Sequence, residues 1–280
     1  MSLALPQDRY VKVGNINTRF WAAGNKGTNV VLVHGLGGFI ENWVHNVNAL
    51  SQSHRVYAMD LLGFGRSDKT PLIHDMYDLV RFINDFMETQ KIDKASLVGN
   101  SLGGGLVLLF ALQYPEKVEK LVLVDNAGMG KDVILDFKLC SLPLLGELLI
   151  LPSRRTTAGL WKKIVYNSSL VTEKLIKDSY ALAALPGASK ALLAALRSGI
   201  NLYGQRSKLT NALIEKLGSI AAPTLIIWGK QDRIIPVAHA QVAVNKILGA
   251  RLQIFDRCGH MAQLEHPEKF NKLVLDFLAE

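Results

Sequence analysis

A serine flanked by glycines, in the segment Gly99-Asn100-Ser101-Leu102-Gly103, is placed to act as a nucleophile. A short apolar run precedes it and a helix-forming run follows it, which is the strand–turn–helix context that a Gly-x-Ser-x-Gly motif requires. Glycine allows this strained turn, because side chains there would collide with the adjacent strand and helix. We predict that Ser101 is a catalytic nucleophile; the alternative is a turn that only begins a helix.

A serine hydroxyl needs a base to take its proton as it attacks, and imidazole suits that role. His260 directly follows the last predicted strand, so we expect it at the same edge of the sheet as Ser101. His34 lies at this edge too, within a glycine-rich loop that gives it another role. The other histidines fall on predicted helices or surface turns: His45, His54, His74, His239 and His266.

A histidine base also needs an acid that fixes its tautomer and stabilises the imidazolium. Asp232 follows the penultimate predicted strand and is our candidate. Asp125, at the end of the strand after Ser101, is the rival, although an aspartate at that place more often caps the next loop. Asp60 and Asp68 lie in a glycine-rich turn, where hydrogen bonds to the backbone explain them.

The tetrahedral intermediate carries negative charge on the former carbonyl oxygen, and losing one N–H donor to it costs about 3 kcal/mol. One donor should be the amide of Leu102, directly after the nucleophile. The other should come from the loop His34-Gly35-Leu36-Gly37-Gly38, from Leu36 or alternatively Gly37. This loop does not resemble a phosphate site, because no Lys-Ser/Thr pair follows it and the dinucleotide fingerprint is incomplete.

The elements that position these residues alternate between strand and helix, which predicts an α/β fold with a mostly parallel sheet. Between residues 126 and 219 the sequence shows leucine- and alanine-rich helical stretches and no convincing strand. We therefore predict a core domain of residues 1–126 and 220–280, and a helical cap or lid inserted over residues 127–219.

Composition narrows the classes of protein further. The chain has 280 residues, 49% of them hydrophobic, and a net charge of +8. The basic residues are dispersed without interleaved aromatics, so we expect no nucleic-acid partner. No apolar run reaches membrane-spanning length and the start lacks signal-peptide features, which favours a cytoplasmic protein. Cys140 and Cys258 match no metal spacing and should be buried. We expect no metal, no cofactor, and a monomer or homodimer.

The order Ser101, Asp232, His260 resembles that of serine hydrolases with the α/β-hydrolase fold. The resemblance implies an eight-stranded sheet with an inserted helical cap. It extends to carboxylesterases and, more closely, to the meta-cleavage-product hydrolases, which cleave carbon–carbon bonds. The segments similar to the latter group are Gly99–Gly104, Cys258–His266 and Ser169–Glu173. The dehalogenase and epoxide-hydrolase branches attack with aspartate, whereas this chain has a serine.

Three positions depart from the carbon–carbon hydrolases. Met261 stands where that group has tryptophan, Ser179 where it has an arginine that binds the substrate carboxylate, and His45 where it has asparagine. Without the arginine, a dienoate would lose a charge-assisted hydrogen bond of about 1.5–3 kcal/mol. We therefore expect a carboxylic ester hydrolase for small to medium acyl chains. The alternatives are a hydrolase of 2-hydroxy-6-oxo-dienoates, a thioesterase, a lactonase, or a ligand-binding receptor that kept the fold.

Several residues are predicted to contact the substrate because they flank the nucleophile, the base or the cap. They are Gly35, Asn100, Trp43, Leu139, Leu145 and Met261. Apolar residues of the cap should line the entrance, although packing of the cap onto the core also explains them. That set is Met129, Leu135, Phe137, Leu139, Leu142, Leu145 and Leu148.

Overall fold

The computed structural model describes residues 4–69 and 75–280. Its strands are β1 Arg9–Val13, β2 Ile16–Ala23, β3 Asn29–Val33, β4 Arg55–Met59, β5 Ala95–Asn100, β6 Val118–Val124, β7 Ile200–Asn201, β8 Gly204–Gln205, β9 Thr224–Gly229 and β10 Arg251–Phe255. Its α-helices are α1 Val47–Leu50, α2 Met76–Thr89, α3 Leu102–Gln113, α4 Leu135–Cys140, α5 Leu145–Leu149, α6 Arg154–Ile164, α7 Glu173–Ala183, α8 Ala188–Gly199, α9 Ser207–Lys216, α10 Ala238–Lys246, α11 Ala262–Glu265 and α12 Pro267–Ala279.

Eight strands of the described chain form one sheet in the order β1-β2-β4-β3-β5-β6-β9-β10. β2 is antiparallel to both β1 and β4, and the other neighbouring strands are parallel. The mostly parallel eight-stranded sheet is thus confirmed. Because parallel strands end at the same edge, the residues that follow β3, β5, β6, β9 and β10 meet there.

The central strands are apolar throughout because helices cover both faces of the sheet. Successive side chains of β3 alternate between the faces: Val31 and Val33 pack with α2 and α3, whereas Val30 and Leu32 pack with Trp43 and α12. α3 is buried along nearly its whole length, which explains why it is apolar all round. This packing holds the carboxyl edge of the sheet rigid.

Between β6 and β9 the chain forms α4 to α9, as the sequence predicted for residues 127–219. The prediction of no strand in this region is wrong in detail, because β7 and β8 form an antiparallel pair of two residues each. Helical spacing of the sequence also predicts a helix from about Trp43 to Leu50, but the structure has two separate pieces there: a 3₁₀ turn covers Ile40–Trp43 and α1 begins only at Val47. Strands and helices this short lack the periodicity that a sequence pattern needs.

Cys140 and Cys258 are both free and buried, as predicted. Among the described helices no single one is long and apolar enough to cross a membrane. The pair α7 and α8, bent by 87°, meets the length and composition requirement only when the two are taken together.

Candidate active site

Ser101 lies on the sharp turn between β5 and α3. Its backbone has φ +56° and ψ −119°, a conformation that non-glycine residues rarely adopt and that costs about 1–3 kcal/mol. The Ser101 amide donates to the Val124 carbonyl, and the Ala127 amide donates to the Ser101 carbonyl, at 2.8 and 3.0 Å. Two backbone hydrogen bonds to β6 and the loop after it therefore hold this strained residue in place.

The glycines around Ser101 are required by close contacts. A Cβ on Gly103 would overlap the Val33 carbonyl oxygen, and a Cβ on Gly99 would overlap the backbone of Gly103. A Cβ on Gly35 would lie 2.9 Å from the Cβ of Ser101. Gly35, predicted as a substrate contact, is therefore also the residue that allows the loop after β3 to approach the nucleophile.

His260 and Asp232 form a buried pair on the loops after β10 and β9. His260 Nδ1 lies 2.7 Å from Asp232 Oδ2, and neither side chain is more than 6% exposed. Asp232 Oδ1 accepts from the amides of Ile234 and Ile235, at 2.7 and 3.1 Å. The carboxylate is thus fixed by its own loop, with one oxygen directed at the imidazole, where it can hold an Nδ1–H tautomer.

The second imidazole nitrogen, Nε2, is buried and has no hydrogen-bond partner among residues 4–69 and 75–280. Asn100, the residue before Ser101, donates its side-chain amide to the His260 carbonyl at 3.0 Å and to the Val124 carbonyl at 3.3 Å. This bond links the end of β5 directly to the His260 loop. It also commits the Asn100 amide to the backbone rather than to the substrate role predicted for it.

Asp125, the rival acid, lies beside this pair but is bonded differently. Its Oδ1 accepts from the Gly229 amide at 2.8 Å, and its Oδ2 is buried with no partner in the portion of the chain that the structure describes. Burial, reinforced by the nearby Asp232 charge, raises the pKa of Asp125 well above its ordinary value. The imidazole hydrogen bond goes to Asp232, so the geometry agrees with the choice of Asp232 over Asp125.

Asp125, Asp232 and His260 are also the residues of this site that could bind a metal ion. One ligand atom from each lies within 4.8 Å of the others. The 2.7 Å contact between Nδ1 and Oδ2 is a hydrogen-bond distance and uses two of those atoms.

The loop after β3 is a turn closed by the Gly38 amide, which donates to the Gly35 carbonyl at 3.0 Å. Leu36 and Gly37 are its central residues, and Gly37 has φ +69°, as the third position of a type II turn requires. Leu36 and Leu102 both line the pocket that contains Ser101. Their roles, and that of Gly37, as oxyanion donors stay predictions.

The side chain of His34 anchors this loop by two hydrogen bonds. Its Nε2 accepts from the Leu61 amide at 3.0 Å, so Nδ1 carries the hydrogen and donates to the Gly35 carbonyl at 2.8 Å. Complete burial lowers the pKa of His34 to about 4. A neutral imidazole therefore links β3, the loop and the segment after β4, which is the separate role that the sequence suggested for it.

A pocket opens over Ser101 between the sheet edge and the segment 127–219. Its lining is apolar apart from three residues, Ser101, Gln205 and Thr210. Gln205 accepts from the Gly128 amide at 2.7 Å and Thr210 donates to the Ser207 carbonyl at 3.2 Å, so both already have backbone partners. Within the described parts of the chain, no Lys or Arg lines this pocket.

All six predicted substrate contacts are absent from the lining of this pocket, and four of them have not yet been placed. Trp43 is fully buried and packs against Phe270 on the opposite face of the sheet. Met261 packs with Trp161 and Val165 in a small apolar cluster. Leu139 and Leu145 are absent from the lining, and Leu145 is 37% exposed. These positions are therefore corrected to packing or surface positions.

Of the apolar residues expected at the entrance, only Phe137 is part of the lining. Most of the remaining lining was not predicted from the sequence. Its large apolar side chains are Met76, Leu106, Leu109, Val133, Leu196, Ile200, Leu209, Leu213 and Ile235. Leu106 and Leu109 could have been found, because they follow Leu102 at helical spacing on α3. The lining residues from α8 and α9 could not be found in this way, because no sequence pattern connects those helices to the nucleophile.

The remaining singled-out residues lie outside the pocket. Ser179 accepts a hydrogen bond from Trp161 Nε1 at 2.9 Å. Asp60 accepts from the amides of Ile40 and Arg66, and Asp68 from that of Asn17. His74 lies outside the described residues. The other four histidines are outside the pocket lining: His45, His54, His239 and His266.

Comparison with known proteins agrees with this architecture. A family profile described as the alpha/beta hydrolase fold matches residues 28–267. The chain belongs to the α/β-hydrolase family. With Ser101 at the nucleophile elbow, this α/β hydrolase is a serine hydrolase.

Several similar proteins are hydrolases that act on related dienoates. This α/β hydrolase is 34% identical to a 2-hydroxy-6-oxononadienedioate/2-hydroxy-6-oxononatrienedioate hydrolase of Comamonas testosteroni and to a 2-hydroxy-6-oxo-6-phenylhexa-2,4-dienoate hydrolase of Burkholderia cepacia. Each match covers 91% of this chain and 88% of the relative. A meta-cleavage product hydrolase from Pseudomonas fluorescens IP01 has a similar solved structure, with a TM-score of 0.82, 28% identity and 98% of each chain covered.

Proposed function

We propose that this serine hydrolase cleaves a carbon–carbon bond in a 2-hydroxy-6-oxo-dienoate whose 6-substituent is apolar. The similarity to two hydrolases of this class, at 34% identity over 91% of the chain, carries the proposal. The apolar lining around Ser101 supports a hydrocarbon substituent, such as the phenyl group in the Burkholderia cepacia enzyme's substrate, over a second carboxylate.

The proposed reaction begins when Ser101 Oγ adds to the ketone carbon and its proton passes to His260 Nε2. Asp232 holds the imidazole and stabilises its charge, while the Leu36 and Leu102 amides bind the oxyanion. The substrate reacts as its 2,6-diketo tautomer, in which the proton of the 2-hydroxyl group has moved to C5. The bond between C5 and C6 then breaks, its electron pair is delocalised through the remaining double bond onto the C2 carbonyl, and C5 takes the proton from His260. Water attacks the acyl-enzyme with His260 again acting as base, which releases the acid and frees Ser101.

Residues 127–219 act in this proposal as a cap. They supply Val133, Phe137, Leu196 and Leu213 to a pocket whose floor is Ser101 and α3. Because substrate enclosed between cap and core is shielded from water, the oxyanion interaction is strengthened.

Ester hydrolysis is the second candidate, favoured by the lack of any Lys or Arg in the described lining of the pocket. A dienoate carboxylate would lack a partner there, whereas a neutral ester needs none. The missing charge-assisted hydrogen bond to the carboxylate would weaken dienoate binding by about 1.5–3 kcal/mol. It does not alter which bond the catalytic residues can attack. We therefore rank the ester second.

Purified enzyme assayed with 2-hydroxy-6-oxo-6-phenylhexa-2,4-dienoate and with p-nitrophenyl butyrate separates the candidates. We expect kcat/KM to be higher for the dienoate, and Ser101→Ala to abolish turnover of both. Preference for the ester by orders of magnitude would replace the first candidate with the second. Turnover unaffected by Ser101→Ala would show that Ser101 is not the nucleophile. No turnover of either substrate by the parent, together with no labelling of Ser101 by a fluorophosphonate, would indicate a ligand-binding receptor instead.

A further inference from the structure

Six leucines between residues 135 and 151 are exposed to solvent. Leu145 is 37% exposed, and the exposed fractions of the other five run from 44% for Leu149 to 81% for Leu144. They lie on α4, on α5 and in the connections at either end of α5, and these two helices pack against each other. We call this surface the leucine patch, formed by Leu135, Leu144, Leu148, Leu149 and Leu151. Large clustered apolar side chains on a protein surface mark a binding site more often than scattered ones do.

The most exposed of these leucines sits on a strained turn. Leu144 has φ +65° and ψ −50°, and the Leu145 amide donates to the Pro143 carbonyl at 2.8 Å across it. This is a γ-turn of the form that is rare and strained for residues with a side chain. The folded protein therefore bears both backbone strain and the hydration of an exposed leucine at one residue, which a binding role explains.

The positive charge of the molecule is concentrated in the same segment. Residues 127–219 hold 13 Lys and Arg against 6 Asp and Glu, whereas the rest of the chain holds 19 against 18. The net charge of +8 is thus almost entirely that of this insertion. Lys163 of α6 pairs with Asp136 of α4 at 2.5 Å, which places the end of α6 beside the patch. Arg155 and Lys162 of α6 are exposed.

We propose that the leucine patch and the cations of α6 dock this enzyme on an anionic lipid surface. Peripheral helices bind membranes in this way: their leucine side chains insert at the boundary of headgroups and acyl chains, while neighbouring Lys and Arg contact the anionic headgroups. A second copy of the chain fits less well, because two insertions of the same positive charge would repel each other. The proposal does not depend on which bond Ser101 cleaves.

Docking here would bring the pocket close to the lipid. α4 supplies Phe137 to the pocket lining and Leu135 to the patch, so one short helix separates the two. An apolar substrate partitioned into the membrane would then reach the pocket without crossing bulk water.

Co-sedimentation of the full chain with vesicles tests the proposal. We expect the protein to sediment with vesicles of phosphatidylcholine and phosphatidylglycerol at least about tenfold more than with phosphatidylcholine alone, and less at high salt. The double variants Leu144→Gly/Leu148→Ser and Arg155→Glu/Lys162→Glu should each lose most of this binding. Because Leu144→Gly relieves the strained φ, the thermal unfolding midpoint of the variant that contains it should not fall below that of the parent. An unchanged midpoint separates a loss of binding from a loss of folding.

Exposed residues outside the segment 127–219 provide matched controls. Leu248→Ser removes a leucine that is 88% exposed between α10 and β10, and Lys12→Glu reverses an exposed cation on β1. Both should leave sedimentation unchanged. The proposal is overturned if the parent does not sediment with anionic vesicles, or if the controls weaken binding as much as the patch variants. Sedimentation equilibrium showing a dimer that Leu148→Ser dissociates, without vesicle binding, would instead assign the patch to a second copy.

Discussion

The imidazole of His260 has two nitrogens in different situations, and catalysis would use both. Nδ1 is held by Asp232 at 2.7 Å, while Nε2 is buried without a partner in the described chain. Asp125 lies close enough to take the place of Asp232, yet its carboxyl group is bonded to Gly229 and its pKa is raised by burial. Which carboxyl group serves His260 can be decided by substitution.

Asp232→Asn should reduce kcat about a thousandfold or more, because an amide cannot stabilise the imidazolium and favours the wrong tautomer. Asp125→Asn should keep kcat within about tenfold of the parent, because an amide resembles the neutral carboxyl group that burial favours. Both variants are assayed on the preferred substrate, with unfolding midpoints to confirm folding. The reverse order of losses would assign the acid to Asp125.

His34 gives the molecule a buried neutral base whose effect on stability depends on pH. Burial lowers its pKa from 6.5 to about 4, so between these values the unfolded chain binds a proton that the folded chain does not. The contribution is fully present above pH 6.5 and is lost as pH falls through about 4, a change on the order of 3 kcal/mol.

His34→Gln should therefore make the free energy of unfolding fall less steeply between pH 6.5 and 4 than it does in the parent. Glutamine can still accept from the Leu61 amide, and the other titrating groups are common to both proteins. Urea unfolding at a series of pH values measures the difference. Parallel curves for the two proteins would show that His34 is not the source.

At the residue scale the sequence was sufficient to place the candidate catalytic residues and insufficient for the contacts around them. The positions of Ser101, Asp232 and His260 were predictable because each follows a recognisable strand, and parallel strands end at one edge. Trp43 and Met261 were placed in the pocket incorrectly, because the direction of a side chain depends on which face of an element packs inward. That direction is set by tertiary packing, which a local pattern does not contain.

The turn between β5 and α3 depends on close backbone packing that only glycine permits. Gly103→Ala should lower kcat/KM by at least about a hundredfold and reduce the unfolding midpoint, because its Cβ would overlap the Val33 carbonyl oxygen and displace Ser101. Steady-state kinetics, with the enzyme concentration fixed by fluorophosphonate titration, gives kcat/KM, and thermal unfolding gives the midpoint.

Gly159→Ala is the matched control on α6. A Cβ at Gly159 would meet nothing within 4 Å, so the change should stabilise the helix by about 0.5–1 kcal/mol and leave activity intact. If both substitutions behaved alike, the packing argument for the elbow would fail.

At the element scale, the long and strongly periodic segments were predictable and the short ones were not. Apolar positions at helical spacing predict helices over residues 76–90, after Ser101 and over residues 267–278, and the structure has α2, α3 and α12 there. The pair β7–β8 and the break before α1 involve too few residues to show a period. Contacts with the surrounding structure set their conformations. In β8, for example, the Gln205 amide donates to the Lys131 carbonyl.

For the whole molecule, the pocket is formed where the insertion meets the core, so its size depends on residues from both. Gly199 ends α8 and lines the pocket, and an added Cβ would meet only the end of the Met76 side chain. Gly199→Leu should narrow the pocket and lower kcat/KM at least about tenfold for substrates with a phenyl-sized substituent, with a smaller loss for a methyl substituent.

Gly159→Leu adds the same side chain at a position with open space and should leave both substrates unaffected. Steady-state kinetics with a substituent series tests the pair. An equal loss for large and small substituents in Gly199→Leu would show that this position does not limit the space available to substrate.

The order of the strands has a consequence for a chain still being made. Ser101 and its turn precede β9 and β10 in the chain, and Asp232 and His260 follow those two strands. A ribosome-bound chain that lacks these last strands has an alcohol with nothing to deprotonate it. If Asp232 and His260 act as proposed, a nascent chain cannot hydrolyse substrate until β9, β10 and the loops that follow them have been made and folded against β5.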